Sequence, residues 1–85
     1  MAANIHDLRQ WFRDGVAIGA THMIVVCDTY DYEDYPVYVS AEENVHKKSA
    51  AYSLRAGNMQ KVMEVYKLSM DMEDQLDSEV LVFNY

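Results

Sequence analysis

Residues 21–29, THMIVVCDT, constrain the fold more than any other stretch of this chain. The run is β-branched and apolar and too short for an independent helix, so it reads as a central strand. Side chains alternate across a strand. His22, Ile24, Val26 and Asp28 therefore share one face, and Met23, Val25 and Cys27 the other. Both faces are largely apolar, which predicts burial on both sides or a sheet face that meets another subunit.

The next stretch, CDTYDYEDYPVY (residues 27–38), sets Tyr30, Tyr32, Tyr35 and Tyr38 among Asp28, Asp31, Glu33 and Asp34, with no base. YDYEDY reads as the tip and flank of a hairpin and PVYVS as the returning strand. Pro36 lacks an N–H, so it belongs at a strand start or on an edge. Phenols suit strand geometry and sit half in and half out of water, and the acids discourage edge-to-edge pairing.

Elsewhere the pattern is mainly helical. Asn4 caps a first helix in which Ile5, Leu8, Trp11, Phe12 and Val16 recur at spacings of three and four. Gly19 suits the residue just past its end. Ser40 and Glu43 spell a capping box for a second helix, with Val45, Ser49 and Tyr52 on one stripe. Residues 56–58, AGN, break it, and Asn58 caps an expected third helix carrying Met59, Val62, Met63, Tyr66 and Met70. EVLVFNY, at the end, reads as a third strand. The expectation is one α+β domain over residues 1–85, ordered α-β-β-α-α-β, with a three-stranded sheet and its helices packed on one face.

At 85 residues the chain is one domain with a small core, and half of it is apolar. Chains of this size often gain stability by association, so a homo-oligomer is expected, with the methionines of the third helix as packing or subunit contacts. The single cysteine excludes an internal disulfide framework. With no leader pattern and no long apolar run, a soluble protein of the cytoplasm, not bound to membrane, is expected.

The net charge is −7, and eleven of the fourteen acids fall in two blocks, residues 28–43 and 71–79, that contain no Lys or Arg. Such blocks serve solubility, or they attract a basic partner. Direct nucleic-acid binding is not expected, because phosphates call for clustered Lys and Arg.

Signs of catalysis are incomplete. VVCDTYD resembles the aspartyl-nucleophile strand of haloacid-dehalogenase-like phosphatases, but that family needs Asp-x-Asp where this chain has Asp28-x-x-Asp31. Asp28, Asp31 and Asp34 could gather a hard cation, and His22, Cys27 and His46 a zinc ion, but the spacings fit neither type of site. Cys27, inside an apolar run, reads as an inert core thiol. No phosphate-binding loop, dinucleotide fingerprint or nucleophile elbow is present. No cofactor is expected.

GATHMIVVCDTYDYEDYPVYV (residues 19–39), NMQKVMEVYKLSMDMEDQL (residues 58–76) and the terminal FNY together resemble a family of small proteins encoded in phage and prophage genomes. The resemblance carries over no catalytic residue. It implies a setting in which small accessory proteins bind host factors, as inhibitors of CRISPR effectors do, or sequester nucleotide immune signals.

Three functions follow as expectations. The first is a non-enzymatic protein that inhibits a host defence factor with a basic surface. Tyr30, Tyr32, Tyr35 and Tyr38 would give contact area, and Asp28, Asp31, Glu33 and Asp34 would give steering. The second is an oligomeric sponge for a small nucleotide ligand, with Trp11 or a tyrosine on the base and Arg9, Arg13, Lys47, Lys48 or Arg55 on phosphates. The third is a small metal-dependent enzyme, which needs Asp28 or His22 in a cleft.

Overall fold

A computed structural model describes residues 4–53 and 59–85. Helix α1 (Ile5–Ala17) begins where Asn4 accepts the Asp7 amide at 2.9 Å. It ends in a paired closure: Ala20 N donates to Gly15 O, and Gly19 N to Val16 O. Gly19 takes φ +77°, the left-handed value this closure requires.

The chain then forms β1 (His22–Asp28) and β2 (Glu33–Val39), joined as an antiparallel hairpin in which Asp28 faces Glu33 and His22 faces Val39. Helix α2 (Val45–Ala51), strand β3 (Gln60–Lys67) and the short helix α3 (Met72–Leu76) follow. The sheet order is β2-β1-β3, with both pairings antiparallel. The THMIVVCDT run is thus the central strand, and Met23, Ile24, Val25 and Val26 are all buried. Pro36 sits on the edge strand β2.

The fold is α+β, as expected, but three details of the arrangement differ. The order is α-β-β-α-β-α, because the expected third helix is strand β3. Its apolar spacing has a cause. Val25 pairs with Glu64 and Val26 with Val62, so Met63 is an extra residue in β3. This bulge shifts the alternation by one position. Val62 and Val65 then share one core, and Met63 and Tyr66 the other. Pairs three residues apart on one side imitate a helix. The expected cap Asn58 and the AGN break lie outside the described residues.

Second, the helices cover both faces of the sheet. Leu8, Trp11 and Phe12 of α1, with Met72 and Leu76 of α3, pack on Met23, Val25 and Tyr66. Val45 of α2 and Tyr52 just after it pack on Ile24, Val26, Val39 and Val65. A strand apolar on both faces needs two covers.

Third, EVLVFNY does not form a full strand. It makes one parallel bridge, Phe83 with Val65, on the outer side of β3. Val65 N donates to Val82 O and Asn84 N to Val65 O. The second helix also starts later than Ser40: Asn44 caps it, accepting Lys47 N at 3.0 Å. Glu43 still accepts the Ser40 amide at 3.0 Å, which closes a turn before the helix.

Candidate functional site: the tip of the β1–β2 hairpin

The hairpin tip is built by its own acids. Asp28 Oδ1 accepts the Tyr30 amide at 2.8 Å, and Asp31 Oδ1 accepts the Glu33 amide at 3.0 Å. Tyr32 N returns to Asp28 O at 2.7 Å. Short acidic side chains that bind backbone two residues on stabilise tight turns without glycine. The result is a fixed loop from which Tyr30 and Tyr32 project, 81% and 68% exposed. Asp31 and Glu33 are exposed beside them.

Tyr32 has φ +58°. A bulky L-residue there is strained, at roughly 1–2 kcal/mol. Met59 has the same φ and is the only other such non-glycine residue among the described residues. It stands at the same end of the molecule: Thr29 donates its amide and its hydroxyl to Met59 O, at 2.8 and 2.6 Å. Met59 is also 55% exposed. The two strained positions thus adjoin one tip, and each holds a large apolar side chain in water. The sequence pattern hid Met59, because β3 reads as a helix. No local signal marks it.

The remaining expected contact residues serve the scaffold. Tyr35 packs into the α2-side core, and its hydroxyl accepts from the Gln60 amide. Burial pushes its phenol pKa up. Tyr38 packs against α1, and its hydroxyl donates to Trp11 O at 2.8 Å. Burial, with Asp14 nearby, raises its pKa as well. Asp34 is half-buried next to Cys27; burial, reinforced by Asp34, raises the thiol pKa and holds it protonated.

Among the described residues, the bases of the sponge reading do not converge within one chain. Arg9 pairs with Glu73 at 2.9 Å, and Lys48 with Glu43 at 2.7 Å, also donating to Tyr38 O. Arg9 and Arg13 are on α1, Lys47 and Lys48 on α2, across the sheet. Trp11 is half-buried against the core. Arg55 lies outside the described residues. His22 Nδ1 meets the Thr21 hydroxyl and its Nε2 faces Tyr85 O, while His46 stacks on Tyr85 at 4.5 Å. Among the described residues no group of three or more His, Cys, Asp or Glu is placed to hold a metal ion, and no helix is long and apolar enough to cross a membrane.

Compared with family models, curated proteins and solved structures, the chain matches none.

Proposed function

We propose that this is a non-enzymatic binding protein of phage type that inhibits a host factor, and that the hairpin tip is its contact surface. The observation that carries the reading is the strained, exposed pair Tyr32 and Met59. Left-handed positions favour Gly or Asn, so a tyrosine and a methionine there cost stability and need another use. Backbone strain of this kind clusters at sites that bind or react. Tyr30 and Tyr32 are aromatic anchors of the sort that dominate binding energies. Asp31 and Glu33 beside them suit a partner with a basic surface. Inhibition of a host factor rests on the resemblance to phage-encoded proteins.

The test has two arms. Tyr32→Asn places a residue tolerant of the left-handed region, and is expected to raise stability by about 0.5–1 kcal/mol. Tyr30→Ala with Tyr32→Ala is expected to leave the stability within about 0.5 kcal/mol of the parent. Affinity capture from bacterial lysate, quantified by mass spectrometry, then compares these proteins with the parent. The parent should retain a protein with a basic surface, and the alanine variant should bind it at least about tenfold more weakly. Equal capture, or unfolding of the alanine variant, makes the tip scaffold and sinks the reading.

A further inference from the structure

A second surface lies between α3 and the chain that follows it, on the outer side of β3, away from β2. α3 follows the Lys67 end of β3, which pairs with His22, and the returning chain runs parallel to β3, with Phe83 bridging Val65 in mid-strand. Here the chain leaves Met70, Val80, Leu81 and Phe83 exposed, at 47%, 74%, 60% and 45%. With Asp74 they line a groove of about 280 Å³. That is smaller than the roughly 300–1,000 Å³ of most small-molecule sites and suits an anchoring side chain.

The groove is preformed. Gln75, buried beneath it, accepts Asn84 Nδ2 and the Lys67 amide, both at 2.9 Å. Val82 is also buried, and its carbonyl accepts Val65 N. The floor is thus fixed to β3 while the rim stays apolar and open.

The charge around it selects the occupant. Residues 71–85 hold five acids and no Lys, Arg or His. Glu73 is engaged by Arg9 on the α1 side. Asp74 lines the groove, and Asp71, Asp77 and Glu79 are exposed on the same segment. A second copy of the chain would bring the same acids against these, and like charges across an interface are costly. We infer that this groove docks a basic amphipathic segment of another protein, with an apolar side chain in the groove and Lys or Arg along the acidic rim. Methionine at the rim suits a surface that adapts to its ligand. The inference is independent of the hairpin reading.

The probe is a labelled helical peptide with Leu and Phe on one face and Lys on the others, followed by fluorescence anisotropy. A matched peptide carrying Glu for Lys is the control. The Lys peptide should bind saturably, more weakly as salt rises, and the Glu peptide should not. Leu81→Ser should weaken binding by more than about tenfold, and Tyr32→Ala should leave it unchanged. Should Leu81→Ser lower the melting temperature, Val80→Ser, at a more exposed position, replaces it. Amide shifts on peptide addition should centre on residues 78–84. Failure of the Lys peptide to saturate, equal binding by the groove variant, or shifts centred on residues 29–33 would overturn the inference. So would sedimentation showing self-association that Leu81→Ser abolishes.

Discussion

Gln75 shows how much one side chain decides here. Its amide accepts Lys67 N and donates to Lys67 O at 3.0 Å and to Asp71 O at 3.1 Å, so it closes the passage from β3 into α3. It also receives Asn84, which holds the terminal segment. Every polar atom of a 4% exposed side chain is thereby satisfied. Gln75→Ala leaves the part-buried Lys67 amide without this acceptor and releases Asn84, and should cost about 2–3 kcal/mol in urea denaturation. Nothing in MEDQLDSE singles out this glutamine, because its partners are backbone groups fixed by the sheet. Glu43 acts through charge. The Lys48 ammonium, joined by the Ser40 amide, holds its carboxyl near 2, below its ordinary 4.5. A depressed folded pKa means stability that is present in full above pH 4.5 and is lost as pH falls toward about 2. Melting temperatures followed through that window should drop less steeply in Glu43→Gln than in the parent.

Between elements, α1 approaches the sheet closely at Gly15. A Cβ there would lie 2.8 Å from Tyr38 Cε1 and 2.8 Å from Leu68 Cδ1. Leu68 can turn aside, but the Tyr38 ring is held by its bond to Trp11 O. Gly15→Ala should therefore destabilise by about 1–2 kcal/mol net, the overlap outweighing the gain in helix propensity. A melting temperature at or above that of the parent would show that the packing yields. The same pair of elements shows what a sequence can disclose. α1 is legible because its cap, its spacing and its closing glycine are all local. The β1–β2 hairpin is legible because a doubly apolar strand meets a turn rich in Asp. β3 is not, since its bulge is set by pairing with β1 and disguises its period. The candidate site divides in the same way. Tyr30 and Tyr32 follow from their place at the tip. The inward turn of Tyr35 and Tyr38 depends on which faces α1 and α2 cover, and Met59 joins the tip only through Thr29.

The molecule as a whole is a three-layer body, helices above and below one sheet, with a radius of gyration of 12.1 Å. That is close to the ~12 Å expected of a compact chain this long. Asp28, Asp31, Glu33 and Asp34 gather at the hairpin end of the sheet, and Glu42 and Glu43 follow the opposite end of β2. The acids of residues 71–79 lie on and around α3, while the paired bases Arg9 and Lys48 are on the two helical layers. Such a body has two flanks where more chain could be added. On one, the bridge from Phe83 to Val65 occupies part of β3. On the other, β2 carries Pro36 opposite Val25, in the middle of the strand. A ring nitrogen offers no hydrogen to a newcomer, so an incoming strand meets a gap halfway along. Pro36→Val would fill it. Concentrated solutions of that variant should scatter light and bind amyloid dyes where the parent stays clear, and equal clarity would show that the acids alone guard the flank. One imino acid would then separate a protein that stays dissolved from one that grows into threads.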